Sequence, residues 1–411
     1  MNISKFKLPA LLFLAFGAGA GAFAYVKYRN FSDYLIARIN SQEDKKLGRR
    51  IKFKKVGFSP LKGVVIDGPC VSRAPDFSKG TFFCAEQAVI RPDLAQLMRN
   101  RLYFSNIELE KPVIKIRETG GRWDFEDLLA LLPRTSKGLH LTWNARKLTL
   151  KNAKLEIDAA ASGRKPAGSI ALENVNLTLL HYSSLAGNFS LNLDGGVKTI
   201  FNGQLLAANI SLSTDLNFEY AGLASASGKA EFTDAALGAS TLKKAALNWK
   251  LFGLNKPEPA KNYAAGLTAE ELFIPAQSGG AAQAVNEAMR LLSSILGKET
   301  PRVEDIRMKN LALDFTLNDS VLSVKRLDLD ANFLELRHTY ELNGPARAVS
   351  AGLEARFGGN KLALTAKGPM DRPEILPAMS VTLNRKLLEA VRAINASLLK
   401  IFPITTGEPN A

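Results

Sequence analysis

The chain has 411 residues, long enough for two or three ordinary domains or one elongated one. Hydrophobic residues make up 46% and charged residues 23%, a composition that excludes a disordered chain. A formal net charge of +15 suits polyanionic partners, or simply a well-solvated surface.

Residues 8–26 form an uncharged, mostly apolar run between Lys7 and Lys27. At ~1.5 Å per residue such a run just crosses a ~30 Å hydrocarbon core. It is read as one membrane-spanning helix, with residues 1–30 as the anchor and a short cytoplasmic N-terminus. A second reading stays open. Lys5 and Lys7 also make a basic leader and Ala22-Phe23-Ala24 an acceptable cleavage site, which would release a soluble exported protein. The unbroken apolar length favours retention, and both readings export the rest of the chain. Lys27, Arg29, Arg38, Lys45 and Lys46 follow the run and outnumber Lys5 and Lys7 before it. The positive-inside rule would therefore keep the body in the cytoplasm. That rule is weak for long domains, and export is the expectation.

A helix is expected over 31–46, with Phe31, Tyr34, Leu35 and Ile39 on one side. A basic cluster follows: Arg49, Arg50, Lys52, Lys54 and Lys55, with Lys62 beyond it. It suits a phosphate-rich lipid surface, or equally a solvated edge strand that resists aggregation. Residues 64–72 and 81–90 read as strands around a turn at 73–80. A hairpin centred on Phe77 sets Cys70 opposite Cys84. Opposed residues of an antiparallel pair have Cα atoms ~4.5–5.5 Å apart, within the range of a disulfide. Such a bond needs an oxidising compartment. The alternative is two small apolar residues in a strand pair.

Several short motifs follow one another through this region. They are Leu47-Gly48-Arg49-Arg50-Ile51, then Val56-Gly57-Phe58-Ser59-Pro60-Leu61-Lys62-Gly63, then Pro75-Asp76-Phe77-Ser78-Lys79-Gly80. A short helix is expected over 92–99. Ile107-Glu108-Leu109-Glu110-Lys111-Pro112 and Gly121-Arg122-Trp123-Asp124-Phe125 complete the set. In this order, over residues 8–130, they resemble the N-terminal region of AsmA-like proteins, relatives of AsmA and TamB in Gram-negative envelopes. The resemblance implies an inner-membrane anchor, a periplasmic body, and a part in outer-membrane lipid homeostasis by moving phospholipids along a hydrophobic β groove. Phospholipids, the inner membrane and outer-membrane or periplasmic proteins are the implied partners, with no cofactor. Physically, Pro60 and Gly63 bracket a turn. Pro112 marks a strand start or an edge. Gly120-Gly121 makes a hairpin turn, and Trp123, Phe125, Leu128 and Leu129 open a short amphipathic helix. Residues 31–135 form this AsmA-like region.

Residues 136–278 form an antiparallel β region, and from Leu141 to Leu254 the hydrophobic period is two. Ile210, Leu212, Leu216, Phe218 and Tyr220 alternate with Ser211, Ser213, Asp215, Asn217 and Glu219. Val175, Leu177 and Leu179, and Phe189, Leu191 and Leu193, repeat the pattern. Asp194-Gly195-Gly196 and Ala221-Gly222 read as turns of a meander. Over 279–300, Gly279-Gly280 breaks the pattern. A helix at 284–296 then carries Val285, Met289, Leu292 and Ile295 on one stripe. Strands resume over 301–384, with Leu311, Leu313, Phe315 and Leu317, then Val349, Ala351, Leu353, Ala355 and Phe357. Residues 385–411 hold an amphipathic helix, 385–402, and a tail. Leu387, Leu388, Val391, Ile394, Leu398 and Ile401 form its apolar stripe. This helix caps the open sheet, or lies on a membrane or partner.

The fold class is therefore mainly β: an elongated, open antiparallel groove with short capping helices behind a transmembrane helix. No P-loop, dinucleotide fingerprint, GxSxG or HExxH motif is present. Cys70 and Cys84 form no CxxC, and His140, His181 and His338 lie far apart, so no metal site is read. Asp314, Asp328 and Asp330 sit on wet strand faces. The chain reads as no enzyme and no nucleic-acid binder. Ile210, Leu212, Leu216, Phe218, Leu313, Phe315, Leu353 and Phe357 are the candidates to line a groove for acyl chains, or equally the core of an ordinary sheet. The rival functions are a non-conducting scaffold for outer-membrane assembly and, if the leader is cleaved, a soluble exported lipid-binding module.

Overall fold

The computed structural model describes residues 26–27, 29–30, 33 and 37, then 48–404 apart from 60–61, 100–102, 120, 127–133, 136–137, 140–144, 160–167, 182–186, 202–203, 220–221, 258–259, 277–282, 284, 288, 291–292, 294–298, 300–301, 378–379 and 402–403. The apolar run up to residue 25, most of 31–46, Gly120, Leu128, Leu129, Tyr220, Gly279-Gly280 and the tail 405–411 lie outside the described residues. Among the described residues no helix is long and apolar enough to cross a membrane. The chain divides into two compact units, residues 1–195 and 196–411. Both are built mainly of strands.

The first unit begins with β1 (Ile51–Lys52), β2 (Lys55–Ser59), β3 (Gly63–Asp67) and β4 (Cys70–Ser72). The chain reverses at a 3-10 turn, Phe77–Lys79, where the Asp76 carboxylate accepts a hydrogen bond from Ser78 N at 2.8 Å. It returns as β5 (Thr81–Cys84) and β6 (Gln87–Pro92). Val64 faces Ile90 and Cys70 faces Cys84 in one register centred on Phe77. The hairpin expected from the sequence is thus formed, and Cys70 and Cys84 are joined by a disulfide. Each arm, expected as one strand, is broken in two, at Gly68-Pro69 and at Ala85-Glu86. Gly68 has φ +59°, which ends a strand, and Pro69 has no N–H to continue it. Val64, Ile66 and Ala88 form the local core.

Helix α1 (Leu94–Met98) is capped by Asp93, which accepts from Gln96 N at 3.0 Å. β7 (Phe104–Glu110), β8 (Val113–Thr119) and β9 (Arg122–Trp123) follow, the last two joined through Gly121 at φ +76°. Trp123 lies in β9 rather than in a helix. A small pair, β10 (Arg134–Thr135) and β11 (Gly138–Leu139), precedes β12 (Lys147–Ala159), β13 (Gly168–His181) and β14 (Gly187–Phe201). One expectation is corrected here. The sheet is not antiparallel throughout, because β12 runs parallel to β7 and then to β8. The long passage from β9 to β12 lets the chain re-enter the sheet in the same direction, as a parallel neighbour requires. Asp194-Gly195-Gly196 is a second correction. It lies inside β14 and makes no turn. A Cβ on Gly195 would stand 2.9 Å from Val175 Cγ2, so this glycine marks close packing.

The second unit is an antiparallel meander of β15 (Gln204–Glu219), β16 (Gly222–Leu237), β17 (Ser240–Phe252), β18 (Asn262–Ile274), β19 (Ile306–Asn318), β20 (Val321–Ala331), β21 (Glu335–Asn343), β22 (Ala348–Phe357), β23 (Asn360–Pro369) and β24 (Glu374–Leu376). Each strand pairs with the next. Asp234, Lys243, Glu271 and Lys309 each leave the ladder at the same level, so the register is kept from β16 to β19, and it shifts by one residue between β19 and β20. Described helical residues occur between 283 and 293, where a helix was expected. Asn286 fixes them: its amide donates to Val303 O at 2.6 Å and accepts from Val303 N at 2.7 Å. Helix α2 (Val381–Ile401) closes the unit.

Candidate functional site

Directly opposed residues of an antiparallel pair share a face, so the registers carry one side chain row from strand to strand. Leu212 of β15 faces Ala230 of β16, which faces Leu247 of β17. Leu267, Leu313, Leu327, His338, Leu353 and Leu364 continue this row to β23. A parallel row runs from Leu216 through Ala226, Leu251 and Tyr263 to Leu317, Leu322, Leu342 and Val349. A third contains Ile210, Phe232, Ala245, Ala269, Leu311 and Leu329. The opposite face is wet. Lys229 there meets Glu231 at 2.6 Å, and Lys244 reaches the same carboxylate at 3.2 Å. Those hydrogen bonds and nearby ammonium groups hold the Glu231 carboxyl below its ordinary range. The unit is therefore a single sheet with one apolar face.

That face is covered in two places. Helix α2 sets Leu398 and Leu399 against the cluster of Leu317, Leu322, Tyr340, Leu342, Val349 and Met370. Tyr340 donates its hydroxyl to Asn395 Oδ1, and Asn395 Nδ2 donates to Met370 O at 2.9 Å. Burial without a charged partner pushes the Tyr340 hydroxyl up to about 12. At the other cover Met289, 2% exposed, packs with Ala355 and Phe357. Between these covers the central row stays partly exposed, and on β16 and β17 Phe232 and Leu247 reach 38% and 40%. Large apolar side chains left this open form a surface that suits another apolar body.

The candidate lining residues divide accordingly. Ile210, Leu212, Leu216, Phe218, Leu313 and Leu353 lie on the apolar face and are partly exposed. Phe357 is 3% exposed beneath Met289, and Phe315 packs against the cluster under α2. These two are core residues, because the helices that cover them were placed without register in the sequence. His338 was set aside in the sequence, yet it stands in the central row opposite Leu327 and Leu353. One ring nitrogen, Nδ1, is 2.8 Å from Gly352 O. Burial lowers its pKa, and the hydrogen bond to Gly352 opposes the shift. Thr214 is buried on this face too, and its hydroxyl donates to Ser227 O at 3.0 Å.

The basic cluster is also divided. Arg49 is 6% exposed and turned inward, so it cannot meet a headgroup. Its guanidinium donates to Ser72 O at 3.4 Å and to Asp124 O, and lies 4.4 Å over the Phe82 ring. Asp124 also pairs with Arg73 and accepts from Arg117 N at 3.0 Å. Two motifs 75 residues apart thus form one latch. Arg50, Lys52, Lys54 and Lys55 are exposed. No group of His, Cys, Asp and Glu that could hold a metal ion occurs among the described residues. No protein-family model matches the sequence, and no curated protein matches it.

Proposed function

We propose that this protein binds or conducts phospholipids, with acyl chains laid along the apolar face of the second unit. One observation carries the reading: a row over nine strands, apolar but for His338 and flanked by shorter apolar rows, is left partly open between two covering helices. Each methylene taken from water is worth about 0.8 kcal/mol, so a long acyl chain gains enough to be held. Repeated leucines along one row offer similar sites with no single deep trap. The Cys70–Cys84 disulfide favours an oxidising compartment. With the apolar run at 8–26 and the AsmA-like motif order, it supports an inner-membrane anchor and a periplasmic body that serves outer-membrane lipid homeostasis. On this reading the open sheet acts as a lipid groove, and the protein is no enzyme.

Native mass spectrometry of the full chain, purified from membranes in a mild detergent, tests the reading. Phospholipid should accompany the protein and be lost in a folded Leu247→Glu, Leu313→Glu variant. A folded wild-type protein that carries no lipid would exclude it.

A further inference from the structure

Four neighbouring strand lines of the first unit are interrupted at one level. β3 gives way to β4 at Gly68-Pro69, β5 to β6 at Ala85-Glu86 and β7 to β8 at Lys111-Pro112. β12 shifts register at Asn152. Lys111 and Asn152 have φ of +45° and +51°, backbone that L-residues seldom adopt. Hydrogen bonds link each break to the next: Gly68 N to Glu86 O at 2.8 Å, Glu86 N to Glu110 O at 3.0 Å, and Lys111 N to Lys151 O at 2.8 Å. The result is a crease across the sheet, and along it opens a cavity of about 880 Å³.

The chemistry of this cavity is two-sided. Phe53, Ala85, Val113 and the Cys70–Cys84 disulfide supply apolar walls. Lys52, Lys54 and Lys111 supply exposed ammonium groups, against the single carboxylate of Glu86. Lys111 Nζ is 3.1 Å from Glu86 Oε1, and Lys52 Nζ lies 4.4 Å over the Phe77 ring. The stem of Lys54 lies across Gly68, where a Cβ would stand 3.1 Å from Lys54 Cγ. Partners that hold these flexible side chains in place reduce the entropy lost when an anion binds. Lys111 is 57 residues from Lys54 in sequence, so only the crease brings it to the basic cluster.

We propose that the crease is a binding site for the phosphate group of an amphiphile, taken by Lys52, Lys54 and Lys111, with the adjoining apolar part against Phe53 and Val113. A compact cluster of ammonium groups recognises phosphate as a multivalent anion, and the apolar walls favour a phospholipid headgroup over free phosphate. The choice of phospholipid as source rests on the proposed function, whereas the phosphate chemistry does not.

Calorimetric titration of the full chain in neutral detergent tests this with two probes, dihexanoyl phosphatidylglycerol and inorganic phosphate. The lipid should bind, and Lys54→Gln with Lys111→Gln should weaken it about tenfold or more, the effect of losing charge-assisted hydrogen bonds. Circular dichroism and a free-thiol assay verify that the variant is folded with its disulfide intact. Lys54→Arg, which keeps the charge, should retain binding. Inorganic phosphate bound as tightly, with the same lysine dependence, would support the site and assign it to free phosphate. Lipid binding unchanged by the double replacement would overturn the proposal. Leu247→Glu separates the two readings, since it should remove co-purifying lipid and leave the short-chain probe bound at the crease.

Discussion

At the residue scale the polar groups that matter are those pulled away from water. Asp124 ties together Arg49, Arg73 and the backbone of Arg117. Arg73 and Asp124 expose only 11% and 19% of their side chains. Burial and the neighbouring Arg117 and Arg49 lower the Arg73 pKa, with Asp158 opposing them, and the guanidinium stays charged. Removal of the carboxylate strands the Arg73 guanidinium and the Arg117 N–H, whereas Arg49 keeps its backbone acceptor. Asp124→Ala should destabilise the first unit by about 3 kcal/mol, the low end of the range for broken buried pairs, as read by urea unfolding. His338 makes a pH prediction. Its folded pKa lies below the ordinary value of 6.5, so the unfolded chain takes up the proton first as the pH falls. Its contribution is complete above that value and is lost as the pH falls through the lower, folded one. The second unit should therefore lose stability from pH 7 toward pH 5, and His338→Leu should flatten that slope. Glu231, whose pKa is depressed below 4.5, loses its contribution only in stronger acid, so the two effects separate.

At the element scale the disulfide and helix α2 act on different units. Cys70 and Cys84 are 14 residues apart, and closing a loop of that size stabilises by about 3 kcal/mol in the chain-entropy picture. Reduction should lower the unfolding midpoint of the first unit and leave that of the second in place. Leu342 is 0% exposed beneath α2, so Leu342→Ala should cost the second unit about 3 kcal/mol or more in denaturant titration. The hairpin about Phe77 was legible because its alternation and its turn residues agree. So were the two strand sets of the second unit, whose side chains obey a period of two. Other elements were not legible, for physical reasons. Gly195 looks like a turn residue, yet it is required by the approach of Val175. The parallel placement of β12 depends on a return passage whose path leaves no local pattern. Asn395 interrupts an apolar helix stripe, and its reason, the Tyr340 hydroxyl, lies 55 residues away.

At the scale of the whole molecule, the proposed function places acyl chains on the second unit, and the proposed crease site holds a phosphate group on the first. The sequence was sufficient to identify one face of the second sheet as apolar. It could not separate core from open surface, because that distinction depends on where α2 and the residues near Met289 land. Phe315 and Phe357 were lost to the core for this reason, while Leu247, Phe232 and His338 emerged only from the registers. The most direct measurement of the central claim is site-specific photocrosslinking in the full chain, within membranes that carry labelled phospholipid. A photoreactive residue at Leu247 or Leu313 samples the apolar face, and one at Asn248 or Asp314 samples the wet face of the same strands. Lipid adducts at the first two positions and none at the second two are the predicted result. Adducts on both faces alike, or none at Leu247 and Leu313 in a folded protein, would contradict it.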